Sequence, residues 1–394
     1  MQDLAARMNR PALVRMLSLC AVLLAGVCMA EEAAPFAIEH GPSLQAPAAD
    51  GVTVVWHTNR PGVASVRYGT EAPPAQTAVT SRDGLLPNDS VNHAVRLTGL
   101  EPGTTYTYQA ATREFVRYIT PYEVSYGDTA ESAPFTFTTL DPKKESYAFL
   151  MWNDIHGDFR RLEAMFDEVS WEGVDFVVLN GDMISDFTSA RQLFRGFYDA
   201  CVARFAKTLP IVYARGNHEA RGSMARRLAD YLPGPDGRYY WSFDHGPAHF
   251  VVLDSGEDKA DGDQEYAGLV DFQAYREAQA EWLRADLASD AAQRAKFRIV
   301  ISHQPSAYNN VDGYGARELR RLWDPILNAA NVHLWLSGHL HALRVRAPHE
   351  DGDNTYHAIV NPEDATTRVE VSHDALEVTV IEKGGKVLAE TRIE

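Results

Sequence analysis

The stretch "YAFLMWNDIHGD", Tyr147–Asp158, decides how the chain is read. Six apolar or aromatic residues in a row suit a strand buried on both faces, and the run stops abruptly at Asp154, His156 and two turn-forming residues. The next segment, "DFRRLEAMFDEVS", places Phe159, Leu162, Phe166 and Val169 at helical spacing, with Asp158 placed to cap the helix. Strand, polar turn, helix is one unit of an α/β sheet.

The unit recurs downstream. Apolar runs at "VDFVVLNGD", "LPIVYARGN", "AHFVVLDS", "FRIVISH" and "VHLWLSGH" alternate with amphipathic stretches such as "FQAYREAQAEWLRADLAS" and "ARELRRLWDPILNAA". After residue 352 the pattern returns to strands, and "KGGK" predicts a hairpin turn between the last two. Upstream the texture differs. Residues 35 to about 140 alternate apolar and polar in short runs separated by turn residues ("GVTVVWHTN", "NHAVRLTGL", "TTYTYQAA", "APFTFTT"), which predicts a β-sandwich. "TTLDPKKESY" loses the period and marks a boundary near residue 140. Residues 113–132, rich in tyrosine, read as a long connection packed on the junction between the two parts, or else overhanging the site.

The chemistry gathers at the strand ends, where loops outside an α/β sheet carry polar groups. Five runs end in Asp154 and His156, Asp182, Asn217, His303, and His339 with His341. A single histidine after a strand is ordinarily a loop residue; the coincidence of five such ends, most flanked by glycine, points to metal. Two carboxylates, four histidines and an amide exceed what one ion with an open position takes, and suit two ions sharing a carboxylate. Lone residues read as structural: His249 and His333 as packed histidines, Cys201 as a buried thiol, Arg215 as solvated. Glu219 either orients His218 or faces solvent.

At this point "DIHGD", "GD", "GNHE", the histidine after "VIS" and "GHLH" resemble, in order, the five signature blocks of the calcineurin-like metallophosphoesterases, over roughly residues 146–345. The upstream "LTGLEPGTTYTYQA" resembles the tyrosine corner of a fibronectin type III domain, with Tyr106 as the corner residue, and a sandwich so placed is similar to that of purple acid phosphatases. The resemblance implies a four-layer α-β-β-α phosphoesterase fold over residues 141–394, preceded by an all-β fibronectin type III-like sandwich over residues 31–140. It further implies that Asp154, His156 and His341 bind one divalent ion, that Asn217, His303 and His339 bind a second, and that Asp182 bridges them. The ions would be zinc, iron or manganese, with a hydroxide between them attacking phosphorus in line and His218 as the catalytic histidine toward a small phosphorylated substrate. Ser185 stands where purple acid phosphatases carry a tyrosine and Asp312 near where they place substrate-binding histidines, so neither an iron–tyrosinate centre nor a monoester preference is implied. Phosphomonoesterase, phosphodiesterase and a non-catalytic binding module stay as alternatives.

Composition bounds the rest. A formal charge of −17 and the lack of any basic run argue against a nucleic-acid partner. Arg7, Arg10 and Arg15 precede "MLSLCAVLLAGVCMA", a short apolar run ending in a small residue, so residues 1–30 read as a secretory signal peptide cut after Ala30, with Cys28 as a lipid-attachment alternative. The expected location is therefore secreted or periplasmic, with no transmembrane anchor.

Overall fold

Three of the apolar runs, Ser146–Trp152, Val174–Asn180 and Ile211–Ala214, lie side by side and parallel, with Val177 opposite both Leu150 and Ile211. The computed structural model describes residues 34–306, 313–350 and 354–394; the leader reading of residues 1–30 and the position of Asp312 lie outside the described residues. The three strands form the middle of a nine-stranded sheet. On one side Ala365–Ser372, Leu376–Glu382 and Lys386–Ile393 add an antiparallel wing. The expected hairpin turn closes through Gly384 and Gly385, whose φ of 102° and 79° only glycine adopts readily.

A second, six-stranded sheet sets Ala248–Val252, Phe297–Ile301, Leu334–Ser337 and His357–Val360 parallel to one another, with antiparallel edges at Trp241–His245 and Arg344–Arg346. The facing surfaces of the two sheets share a dry core that includes Phe149, Phe176, Val212, Phe250, Ile299 and Leu336. The outer face of the first sheet is covered by the helix Phe159–Asp167 and the helical segment Ala190–Arg204, and that of the second by Phe272–Leu287 and Tyr314–Ala329. This is the expected α-β-β-α order. One helix departs from expectation: "ARELRRLWDPILNAA" is two helices, Tyr314–Leu322 and Asp324–Ala329, because Pro325 lacks an N–H and starts a new first turn.

The sandwich is present, but one of its layers is the far end of the nine-stranded sheet. Ile38–Ala48 pairs in parallel with Ile211–Ala214, Gln45 opposite Ile211, and carries Gly51–Thr58 and Asn92–Thr98 beyond it. A separate five-stranded sheet forms the other layer, and Leu44, Val54, Trp56, Val95, Tyr108 and Phe137 fill the space between. Tyr106 makes the expected corner, its hydroxyl accepting from the Glu101 N–H at 2.9 Å. The junction is tightly joined: His40 stacks on Phe194 at 3.6 Å, and the Ser43 and Tyr198 hydroxyls are 2.9 Å apart.

Residues 113–132 are not a connection. They belong to a long hairpin, Thr105–Thr120 and Glu123–Glu131, whose tip residue Tyr122 is 100% exposed and so packs on no junction. Phe115 contacts Tyr118 along its strand and Tyr126 across the hairpin, which accounts for those two tyrosines. Among the described residues no helix is long and apolar enough to cross a membrane.

His249 shows what a buried histidine contributes here. It sits on Ala248–Val252 between the carboxylates of Asp244 at 2.7 Å and Asp286 at 3.0 Å. Burial alone would lower its pKa, but the two carboxylates raise it to about 9. A folded pKa above the unfolded value near 6.5 means stabilisation that is complete below pH ~6.5 and is lost as pH rises through about 9. Urea unfolding is expected to show stability falling by on the order of 3 kcal/mol across that window, and His249→Gln to flatten the slope. An unchanged slope in the variant would refute this reading.

Candidate functional site

All five predicted strand ends open on one rim, because the parallel strands of both sheets present their carboxyl ends there. The turns are sharper than the sequence suggests. Asp154, His156, Asp182, His339 and His341 all have positive φ, between 51° and 71°. His339 and His341 therefore do not lie on an extended segment as their alternation suggests; each bends the chain back toward the site. Left-handed backbone is uncommon for such residues and costs about 1 kcal/mol or more each, so surrounding bonds must hold it. The Asp154 N–H donates to the Gly181 carbonyl at 3.0 Å and the His156 N–H to the Asp182 carbonyl at 2.9 Å, tying the first two loops together. Glycine is required at two points: a Cβ on Gly216 would lie 2.2 Å from Asp182 Oδ1, and one on Gly338 2.7 Å from Asp154 Oδ2.

The side chains converge in two overlapping groups. Asp154, His156 and His341 offer ligand atoms within 4.8 Å of one another, as do Asp182, His303 and His339. Asp182 also groups with His156 and His218, which puts it between the two sets. His156 Nε2 and His341 Nε2 are 3.3 Å apart, Asp154 Oδ1 and His341 Nε2 3.2 Å, and Asp182 Oδ2 and His303 Nε2 3.0 Å. Donor atoms bound about 2.1 Å from one ion, at angles near 90–109°, stand roughly 3.0–3.4 Å apart. Four of the buried atoms, Asp154 Oδ1, Asn217 Oδ1, His303 Nε2 and His339 Nδ1, have no hydrogen-bond partner. Buried polar atoms without hydrogen bonds are costly, and cations account for them here, where His303 Nε2 and Asp154 Oδ1 stand 3.8 Å apart with only other candidate donor atoms, Asp182 Oδ2 and His341 Nε2, close by. The residues fit a two-metal centre of mixed nitrogen and oxygen ligands.

Each ligand atom is aimed by the bond its neighbour makes. Asp154 Oδ2 accepts from Asn153 Nδ2 at 2.7 Å and the His339 N–H at 2.8 Å, leaving Oδ1 free. Asn153 is held in turn by Asn361 Nδ2 at 2.8 Å. His303 Nδ1 donates to the Asn180 carbonyl at 2.8 Å, which leaves Nε2 pointing inward. Burial lowers the pKa of His156 and brings that of His339 to about 4, so both keep a free lone pair. Burial would also lower His303, yet Asp182 and Asp154 push it up to about 10, a measure of how strongly this cavity favours positive charge.

Sequence comparison identifies the family. Residues 148–343 match the calcineurin-like phosphoesterases, and residues 41–139 match the N-terminal domain of purple acid phosphatases. The chain belongs to the calcineurin-like metallophosphoesterases. Curated relatives include acid phosphatase type 7 of Mus musculus, 23% identical over 66% of this chain and 57% of the relative. Purple acid phosphatase 22 of Arabidopsis thaliana is 24% identical over 64% and 52% respectively, so the match spans little more than half the length of these relatives. In fold, the metallophosphoesterase resembles the purple acid phosphatase of yellow lupin (Lupinus luteus) seeds, with a TM-score of 0.66, 15% identity, and coverage of 89% of this chain and 73% of that one. It also resembles PhoD, with a TM-score of 0.60, 13% identity, and coverage of 89% and 91%.

Several residues of this metallophosphoesterase take roles that sequence alone did not reveal. Glu219 neither faces solvent nor touches His218. It is buried, and its two oxygens accept from the N–H groups of Asp182 at 2.9 Å, Met183 at 2.7 Å and Gly216 at 3.0 Å. It therefore clamps the loops that carry Asp182 and Asn217, and burial together with the Asp182 charge raises its pKa to about 7. Arg215 is not solvated either: it ion-pairs with Asp254 Oδ2 at 2.7 Å beside the Tyr239 ring. That pairing explains why the sixth strand end, Asp254, is no ligand. Arg221 places Nη1 3.2 Å from His218 Nε2 and is itself held by Glu257 at 2.8 and 2.9 Å. Its only sequence signal was a position four residues after Asn217. Asp158 caps its helix, accepting from the Arg161 N–H at 3.1 Å, and Cys201 is buried with its thiol pKa raised. His333 is half-buried just before its strand rather than within it, accepting from the Arg298 N–H at 3.2 Å.

The clamp is testable. Glu219→Gln keeps the shape but replaces one acceptor oxygen with a donor facing other donors. Metal affinity, read by titration calorimetry, is expected to fall about 10–100-fold with the far-ultraviolet circular dichroism unchanged. Unaltered affinity would show that the clamp does not support the ligands.

Proposed function

We propose that this metallophosphoesterase hydrolyses phosphoric esters, with Asp154, His156 and His341 holding one divalent cation, Asn217, His303 and His339 a second, and Asp182 shared between them. The observation that carries this reading is the convergence of Asp154, His156, His341, Asp182, His303 and His339 from four strand ends, together with buried donor atoms that make no hydrogen bond. When bound, the two cations supply a nucleophilic water at neutral pH and neutralise charge on the phosphoryl group. The oxygen of water forms the new bond to phosphorus, the ester P–O bond breaks, and the leaving oxygen takes up a proton.

The chain's own contribution beside the ligands is the pair His218 and Arg221. His218 Nδ1–H donates to the Ser185 carbonyl at 2.6 Å, which turns Nε2 outward to accept from Arg221. A proton on Nε2 ends that bond, giving His218 an N–H for the leaving oxygen and freeing a guanidinium N–H for a phosphoryl oxygen. Glu257 keeps the guanidinium in reach throughout. Ester type is left at the class level: monoesters and diesters both fit this account. The short apolar leader of residues 1–30 supports export to a secreted or periplasmic location, with cleavage after Ala30.

Zinc-, manganese- or iron-loaded protein is expected to hydrolyse p-nitrophenyl phosphate or bis(p-nitrophenyl) phosphate, and chelation to abolish this until metal is restored. Asp182→Asn is expected to lower kcat by about 10³-fold or more and Arg221→Gln to lower kcat/KM by about 10–100-fold. A metal-replete preparation inert toward mono-, di- and pyrophosphate esters would overturn the proposal. For export, the amino-terminal sequence of protein recovered from a periplasmic fraction is expected to begin at Glu31; an intact leader there would refute the cleavage.

A further inference from the structure

Beside the centre lies a cavity of about 380 Å³ lined by His156 and Ser185 and by Arg191 and Arg195. Both arginines reach solvent, and among the described residues neither has a carboxylate partner. In a chain of formal charge −17 they are two exposed, uncompensated cations beside the centre. The one acidic lining residue, Asp186, has Oδ1 occupied by Gln192 Nε2 at 2.5 Å. Phe159, 37% exposed, and buried Ile184 add apolar surface to the lining.

The wall is built rather than incidental. The arginines sit on a helical segment that changes from α, Ala190–Leu193, to a π turn, Phe194–Tyr198. At that turn a Cβ on Gly196 would lie 3.1 Å from the Gly157 Cα and 3.2 Å from Ile184, so a side chain there would push the turn a few tenths of an ångström off the loop bearing His156. The close approach fixes where Arg191 and Arg195 stand relative to the ligands.

We propose that this cavity is a substrate subsite for the organic part of the ester, selecting groups that carry a second anion, phosphoryl or carboxylate, against Arg191 and Arg195. This rests on the phosphoesterase reading and adds the class of substrate. A volume of about 380 Å³ suits a sugar-sized group and excludes a long polymer from full enclosure. Long-range repulsion from an acidic protein makes such local cations the means by which a doubly charged substrate is accepted.

The test uses the full-length, metal-loaded protein and two matched pairs: fructose 1,6-bisphosphate against fructose 6-phosphate, and 3-phosphoglycerate against glycerol 3-phosphate. Wild type is expected to favour the doubly charged member of at least one pair by about 10-fold or more, in kcat/KM and in calorimetric affinity. Preference in the first pair alone assigns a phosphoryl partner; preference in both assigns any anion. Arg191→Gln with Arg195→Gln is expected to bring the ratio to within about 2-fold of one while leaving glycerol 3-phosphate turnover within about 2-fold, and the double lysine variant to retain part of the preference. Equal treatment of both pairs by wild type, or a preference that survives the double glutamine variant, overturns the subsite while leaving the phosphoesterase reading intact. A binding preference with no turnover of any ester would do the reverse.

Discussion

Two carboxylates, those of Asp154 and Asp182, are buried within reach of one histidine: His303 Nε2 is 3.8 Å from one and 3.0 Å from the other. Bringing two ionised groups out of water costs several kcal/mol each unless compensating charge and hydrogen bonds replace the solvent. Much of the local architecture serves that compensation. Asn153 and the His339 N–H satisfy one oxygen of Asp154, the His218 N–H satisfies one of Asp182 at 2.9 Å, and the remaining oxygens face imidazoles. The result is a cavity that prefers positive charge at two adjacent points, which is what a phosphoryl-transfer centre requires.

The same constraint explains the backbone. Candidate ligands from separate strands reach a common volume only if the chain turns back soon after each strand, and at three of the ends left-handed residues, Asp154 and His156, Asp182, and His339 and His341, make that turn in the fewest residues. Such conformations persist only where neighbours over-determine them. Glu219 does this for the second loop, and Arg161, donating to the Asp154 and Ile155 carbonyls at 2.6 and 3.0 Å, does it for the first. Strain in the ligand loops and the buried clamp beneath them are therefore two sides of one device.

How much of the molecule was legible in the sequence depends on how local each signal is. An apolar run ending in Asp or His is readable within ten residues, so the α/β layers and the convergence of Asp154, His156, Asp182, His303, His339 and His341 were visible without coordinates. The parallel pairing of Ile38–Ala48 with Ile211–Ala214 was not, because a long stretch of chain separates the partners and neither strand's pattern names the other. Glu219 was ambiguous for a related reason: a buried carboxylate that serves backbone N–H groups leaves no complementary side chain in the sequence. The hairpin at Thr105–Glu131 was hidden because exposed strands carry little periodicity.

That non-local pairing changes the meaning of the N-terminal sandwich. Its strand Ile38–Ala48 covers the edge of Ile211–Ala214, whose end leads through Arg215 and Gly216 to Asn217. Its residues His40 and Ser43 hold the π turn, His40 Nδ1 2.8 Å from Asp199 and Ser43 bonded to Tyr198. The same turn carries Arg195 and presses Gly196 against Gly157, next to His156. Two routes of packed, hydrogen-bonded contacts thus run from the sandwich to the loops of the candidate metal site, one through a strand and one through a helix. A sandwich connected in this way acts as part of the scaffold that sets the site's geometry, since removing it would expose a sheet edge and release the turn at the same time.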